Sequence, residues 1–316
     1  MTYQTTRLAA TTLEAIGHTP LVRLNKVVRP NSADLYVKLE YYNPTGSYKD
    51  RMALAMIEEA ERSGALQPGM TVVECTGGST GTSLAFVCAV KGYRFEVVTS
   101  DAFAKEKLQS MGAFGAELVI VPSKDGKITP DLIPTMRERA RQMAQRPNAY
   151  FTDQINNPNS KKGYRRIGEE ILEQLNRPID AFCGGIGTAG MLMGVSSALR
   201  SAGQSSRIIA LEPASAPLLS KGEAGPHRVE GIAIGIVPPL LDKALYDEAR
   251  TVEEAEAREM ARRLAREEGI FAGISSGLNI AAAVELAQEL GPGRTVVTVA
   301  CDSGMKYLAG DLFSMH

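Results

Sequence analysis

Five turns carry the side chains with chemical capacity. The first is Asn43-Pro44-Thr45-Gly46-Ser47-Tyr48-Lys49-Asp50-Arg51, between a strand pattern and a helical one. Ser47 followed by Asp50 reads as a capping box, which starts the helix at Tyr48 and puts Lys49 in its first turn. A cation there meets the positive end of the helix dipole, so the field favours the neutral amine that attacks a carbonyl, with Asp50 partly opposing. The plain alternative is a surface lysine facing water; Pro44 and Gly46 shape the turn and leave the two readings balanced.

The second turn, Thr76-Gly77-Gly78-Ser79-Thr80-Gly81, follows an apolar run and precedes a helix. Clustered N–H groups, hydroxyls and a helix N-terminus suit a carboxylate or phosphate. The third, Gly184-Gly185-Ile186-Gly187-Thr188-Ala189-Gly190, is a phosphate cradle by the same physics. It also spells G-x-G-x-x-G from Gly185 to Gly190, with Glu212 ending the next strand, so a nicotinamide-dependent dehydrogenase is a rival reading. Glu212 lies beyond the usual spacing of roughly 20 residues. The fourth and fifth turns are Gly273-Ile274-Ser275-Ser276-Gly277 and Cys301-Asp302-Ser303-Gly304, in which Ser276 and Ser303 have a plain reading as helix caps. There is no G-x-S-x-G elbow, and His227 lies in a Gly/Pro loop without an acidic orienter, so a serine hydrolase fits poorly.

These turns need a frame. Strands are expected at Leu35–Glu40, Thr71–Cys75, Phe95–Thr99, Leu118–Val121, Ala181–Cys183, Ile208–Leu211 and Val296–Ala300, several nearly all apolar as in sheets covered on both faces. Helical patterns cover Asp50–Ser63, Gly81–Lys91, Lys105–Met111, Pro130–Gln145, Gly163–Asn176, Gly190–Ala202, Val252–Glu268 and Leu278–Leu290. The alternation implies an α/β protein with mostly parallel sheets, and its two blocks, residues 43–150 and 151–316, imply two doubly wound domains. Ligands then belong beyond the carboxyl ends of the strands. Ala214–Leu241, rich in Gly and Pro, is long for a connection and marks a functional loop.

Composition narrows the class. The chain has 316 residues, 44% hydrophobic and 22% charged, enough for two packed domains. A net charge of -1 supplies no overall basic field for nucleic acid or an anionic membrane. No apolar run approaches roughly 18 residues and no secretory leader pattern opens the chain, so a reduced cytoplasmic compartment is expected. Cys75, Cys88, Cys183 and Cys301 form no CxxC pair and read as buried cysteines rather than nucleophiles. His18, His227 and His316 form no metal-binding pair, so no metal site is expected.

The set of turns resembles the cysteine synthase and cystathionine β-synthase family, pyridoxal-phosphate enzymes of the tryptophan-synthase-β fold type (fold type II). The segment from Asn43 to Arg51 resembles that family's cofactor-lysine segment. Further matches are Ile16-Gly17-His18-Thr19-Pro20-Leu21-Val22-Arg23-Leu24, Thr76 to Gly81, Gly187 to Gly190, Gly225-Pro226-His227 with Gly231, Glu268-Gly269-Ile270 through Gly277, and Ser303 with Tyr307-Leu308. Their order along nearly the whole chain makes the resemblance specific.

The resemblance implies that pyridoxal 5′-phosphate lies in the cleft between the domains, joined to Lys49, which also transfers protons. Thr76, Gly77, Gly78 and Thr80, with Gln154, would bind the substrate carboxylate side, and Gly231 would line the mouth. Gly187, Thr188, Ala189, Gly190 and Met191 would surround the cofactor phosphate, and Ser303 would face the pyridine nitrogen. A hydroxyl there favours loss of a β-substituent over transamination; a carboxylate at Asp302 would instead hold a pyridinium, and the family pattern favours Ser303. Residues 43–153 with segment 1–20 would form the mobile, carboxylate-binding domain, and 21–42 with 154–316 the domain that holds the phosphate.

Some positions depart from the family pattern. Ser79 stands where an asparagine usually contacts the cofactor's 3′-oxygen. Gly77, Ala189 and Met191 replace a serine, a glycine and a threonine, and Gly163-Tyr164-Arg165-Arg166 follows Gln154 in place of the usual sequence. These leave the cofactor expectation intact and bear on the substrate. The leading expectation is cysteine formation from O-acetylserine and sulfide, with another β-substituted amino acid or small nucleophile close behind. A serine/threonine dehydratase-like lyase and a non-catalytic binding relative are the remaining alternatives. No regulatory module is expected after Ser303, and Leu312 and Phe313 are expected to pack against a second subunit of a homodimer.

Overall fold

The computed structural model describes residues 8–127, 129 and 131–314. In chain order its strands and helices are β1 (Leu21–Arg23), β2 (Asp34–Leu39), α1 (Lys49–Ser63), β3 (Thr71–Cys75), α2 (Ser79–Lys91), β4 (Arg94–Thr99), α3 (Lys105–Ala113), β5 (Glu117–Ile120), α4 (Leu132–Ala144), β6 (Ala149–Phe151), α5 (Asn159–Leu175), β7 (Ala181–Gly185), α6 (Gly190–Ser201), β8 (Arg207–Pro213), α7 (Leu218–Lys221), β9 (Glu248–Val252), α8 (Glu254–Arg263), α9 (Ile274–Leu290) and β10 (Thr295–Ala300). They build a six-stranded sheet in the order β1-β2-β10-β7-β8-β9 and a four-stranded sheet in the order β5-β4-β3-β6. Every pairing is parallel except β1 with β2. The expected α/β architecture of two parallel sheets is the observed one.

Strand chemistry follows sheet position. All six residues of β10, Thr-Val-Val-Thr-Val-Ala, are buried between β2 and β7. A central strand covered on both faces has no solvent side to mark with polar residues. The three strands absent from the sequence reading, β1, β6 and β9, all lie on sheet edges and are at most half-buried over most of their length. The helix expected from Val252 begins instead at Glu254, because Val252 pairs with Pro213 at the end of β9, and it closes with a π-helical turn over Leu264–Glu268. The helix expected from Pro130 is described from Leu132, Pro130 itself lying outside the described residues. The long connection after β8 carries the short α7.

One apolar core runs beneath both sheets, joining Val72, Phe95 and Val97 of the four-stranded sheet to Phe182, Ile208 and Val297 of the six-stranded one. Helix α5 crosses α1 and α6 at glycines. A Cβ at Gly163 would overlap the Arg51 carbonyl, and one at Gly194 would lie 2.7 Å from the Lys161 carbonyl oxygen. Only glycine admits backbones that close. Leu312 packs into the chain's own second core, and the Phe313 ring lies 4.7 Å from that of Phe271, tilted by 49°.

Candidate active site

Lys49 is the first residue of α1 and is 8% exposed. Its Nζ lies 5.0 Å from the Tyr48 ring centroid and 6.0 Å from that of Tyr164. Burial lowers its pKa to about 8, against the pull of Cys301, Asp302 and Glu74. The sequence reading assigned this depression to the helix dipole; loss of solvent is the larger cause, with the amine still at the positive end of α1. The capping box is only half formed: Ser47 Oγ accepts from the Lys49 N–H at 3.2 Å, whereas Asp50 turns back to the Thr45 N–H at 2.8 Å and the Thr45 hydroxyl at 2.5 Å.

The lysine loop lies against the end of β10. The Tyr48 N–H donates to the Cys301 carbonyl at 3.0 Å, and the Ser303 N–H donates to the Gly46 carbonyl at 3.0 Å. Gly46 has φ +71, and a Cβ there would stand 3.3 Å from Ser303 Cβ. Ser303 Oγ accepts from the Met305 N–H at 3.2 Å, as a cap does, which leaves the hydroxyl proton uncommitted. Asp302 is buried with Oδ2 taking the Tyr307 hydroxyl at 2.9 Å and Oδ1 unpartnered. One carboxylate oxygen is thus held by Tyr307, while the other lies against Gly273, where a Cβ would overlap it. Ser276, expected as a cap, lies inside α9 and accepts from the Cys301 N–H at 2.9 Å.

The glycine turn after β7 meets the same chamber. A Cβ at Gly190 would stand 3.2 Å from carbons of the Tyr164 ring, so one aromatic ring spans from the Lys49 amine to the first residue of α6. Ala189 caps α6 in the left-handed region at φ +66. The N–H groups of Gly187 and Thr188 donate to no other backbone group among the described residues. A Cβ at Gly187 would overlap the Gly231 carbonyl oxygen, so these two loops touch backbone to backbone. Thr188 is buried, and the Met191 side chain packs in the core, which leaves its backbone to the turn. Unpaired donors at the N-terminus of a twelve-residue helix fit a phosphate.

Across the cleft, the turn after β3 brings Thr76, Gly77, Gly78, Ser79 and Thr80 to the N-terminus of α2, whose cap is Gly78. The Thr80 hydroxyl donates to Gln154 Oε1 at 2.7 Å. Glu74, unremarked in the sequence, holds this pair: it accepts from the Gln154 N–H at 3.0 Å and the Thr152 hydroxyl at 2.6 Å. Burial pushes its carboxyl up to about 7 despite those bonds. Asn279 was also missed. It accepts from the Gly185 N–H at 2.7 Å and donates to the Val299 carbonyl at 2.9 Å, tying the glycine turn after β7 to the end of β10. The available signals were a carboxylate in an apolar strand and an amide in an apolar helix.

Several alternatives lose their residues here. The Glu212 carboxylate accepts from the N–H groups of Leu219 and Ser220 and from the Ser220 hydroxyl, capping α7 rather than waiting for a ribose. All four thiols are pushed up to about 12 by burial, far from a nucleophile's range. His227 Nε2 bonds the Ala233 carbonyl within its own loop at 2.9 Å. No cluster of metal-ligating side chains occurs among the described residues, and none of their helices is long and apolar enough to cross a membrane.

Two parallel sheets, a buried amine on a helix N-terminus and a glycine cradle on the next lobe define an enzyme built around an aldehyde cofactor with an anionic tail. Residues 12–302 match the family described as pyridoxal-phosphate dependent enzyme, and the chain belongs to that family. It is 44% identical over 303 residues to a cysteine synthase of Staphylococcus aureus strain Mu50, spanning 95% of this chain and 96% of that one. It is 40% identical to the O-ureido-L-serine synthase of Streptomyces lavendulae, over 95% of this chain and 91% of that one. Among solved structures, the cysteine synthase of Entamoeba histolytica superposes with a TM-score of 0.93 at 32% identity, covering 100% of this chain and 94% of that one. The Gly185–Gly190 pattern is thus a feature of a pyridoxal-phosphate enzyme, not a dinucleotide fingerprint.

Proposed function

We propose that this enzyme performs β-replacement on an activated serine-type amino acid, with O-acetylserine and sulfide as the leading substrates and cysteine as product. The carrying observation is the buried Lys49 amine placed on the same aromatic ring as the glycine turn at Gly190. When bound, pyridoxal 5′-phosphate supplies an electron sink for a carbanion at the amino acid's α-carbon. The chain's residues divide the remaining work. The N–H groups of Gly187, Thr188, Ala189, Gly190 and Met191 would hold the phosphate, Ser303 would offer its hydroxyl to the ring nitrogen, and Ser79 would meet the cofactor from the other side of the cleft. Thr76, Gly77, Gly78 and Thr80, with Gln154 beside them, take the substrate carboxylate, and Gly231 bounds the mouth. Lys49 Nζ, with its depressed pKa of about 8, accepts and returns a proton near neutral pH.

Residues 43–153 with segment 1–20 act in this reading as the mobile carboxylate-binding lobe, and 21–42 with 154–316 as the phosphate-holding lobe; residues 1–7 and 315–316 lie outside the described residues. The working form is a cytoplasmic homodimer that engages neither nucleic acid nor membrane. The test is a paired assay on purified, cofactor-loaded protein. O-acetylserine should change the visible absorption of the bound cofactor, and sulfide should restore it with cysteine appearing. An unchanged spectrum with no cysteine rejects this substrate pair. The similarity to a protein named O-ureido-L-serine synthase puts that product in the same screen.

A further inference from the structure

Lys306 is absorbed by none of the roles above. It stands on the short turn Gly304–Tyr307 that Ser303 caps, on the six-stranded side of the cleft. Its Nζ nonetheless donates across the cleft to Ser79 Oγ, at 3.1 Å, on the first residue of α2. The stem passes Gly46 so closely that a Cβ there would lie 3.7 Å from Lys306 Cε. Asp302 and Asp50 draw the ammonium, while Lys107 repels it; loss of solvent is the larger influence and lowers its pKa.

The direction of that hydrogen bond has a chemical consequence. An ammonium carries three donors and no lone pair, so Ser79 Oγ can only accept from it. The serine's own proton is then free to donate elsewhere, and no side chain or backbone group among the described residues takes it. An isolated serine would be free to accept or donate. We infer that Lys306 is a positioning residue that commits the Ser79 hydroxyl to donating into the cleft, backed by positive charge, so that it meets an oxygen of the bound cofactor as a donor only. This rests on the reading of Ser79 as cofactor-facing, and it accounts for a serine doing there what a longer amide side chain would do unaided.

The test uses the cofactor-loaded enzyme and two readouts other than turnover: the ratio of the long-wavelength to the short-wavelength absorption band of the bound cofactor, and the affinity of resolved apoprotein for pyridoxal 5′-phosphate. Loss of a donor and a charge beside a ring oxygen moves a proton toward that oxygen, so Lys306→Met should lower the band ratio and weaken affinity by about tenfold. Lys306→Arg, which keeps a cationic donor, should restore both. Ser79→Ala should reproduce the shift, and Lys306→Met should add nothing in that background. A wild-type band ratio and affinity in Lys306→Met overturns the inference. So does a shift that Arg fails to rescue, or one of equal size in the Ser79→Ala background. Wild-type protein that gains no visible band with added cofactor removes the reading of the whole site, an outcome distinct from failure at Lys306 alone.

Discussion

At the scale of single residues, the site works by withholding water from ionisable groups. Lys49 has a folded-state pKa of about 8, below its ordinary 10.5. The unfolded chain therefore binds more protons between those values, and apoprotein stability rises with pH across that window. Below it, the buried amine costs roughly 3 kcal/mol. Lys49→Met apoprotein should be more stable than wild type at pH 7, with the gap closing by pH 10.5, as read from urea midpoints. Covalent uptake of the cofactor by wild-type apoprotein should accelerate with pH and level off just above 8, whereas an ordinary lysine would keep accelerating well beyond; stopped-flow absorbance distinguishes the two. In the turn after β3, Thr80→Val removes the bond to Gln154 Oε1 and leaves a half-buried acceptor without its donor. A rise of about fivefold in KM for the amino acid, with cofactor affinity unchanged, is expected from the loss of one such bond.

At the scale of elements, the glycines of the two turns serve close approach: none of them has a positive φ, and the one left-handed residue is Ala189. Gly187→Ala would drive a methyl into the Gly231 carbonyl, pushing the glycine turn after β7 and the Gly231 loop apart. The expected result is a stability loss of about 1–3 kcal/mol in chemical denaturation, together with weaker cofactor binding. Helices and central strands were readable because they are apolar over long stretches or on one face. The edge strand β9, Glu-Ala-Arg-Thr-Val, was not, since an edge exposed on one side has the composition of a loop. The lysine turn was legible as a turn, but its cap was misjudged because Asp50 found a nearer partner in Thr45 than in the backbone of Ser47.

At the scale of the whole molecule, a buried ionic network joins the N-terminal segment to β2, α1 and α5. Arg51 contacts Glu40 at 2.7 Å and Glu170 at 2.6 Å, and Lys38 contacts Glu170 at 2.7 Å. The Gly17 N–H donates to Asn43 Oδ1 and the His18 N–H to Glu170, so the segment from Ile16 to Leu24 serves as a brace for the lysine loop. Burial alone would raise the Glu170 carboxyl, but Arg51 and Lys38 bring it down to about 2. That stabilisation is complete above the ordinary carboxyl value of 4.5 and disappears as pH falls toward 2. Arg51→Met, which removes the cation from Glu40 and leaves Glu170 with Lys38 alone, should cost about 3–5 kcal/mol at neutral pH, measured by denaturant titration. The loss should shrink as Glu170 protonates toward pH 2. A second tie, the Lys107–Glu230 ion pair, links α3 to the loop that carries Gly231.

The amino-acid sequence alone determined the alternation of strands and helices, the parallel sheets and the hydroxyl- and glycine-rich turns at the strand ends, and it singled out Lys49 as the candidate amine. Each is written in local order: apolar runs, periodic faces, and glycines or hydroxyls at strand ends. What only the tertiary structure decided is which distant groups share a dry space. Tyr164 beneath Lys49, Glu74 behind Gln154, Asn279 under the phosphate turn and Lys306 against Ser79 are contacts between elements far apart in the chain. Desolvation and pairing depend on the full surroundings of a group, and no window of sequence contains those.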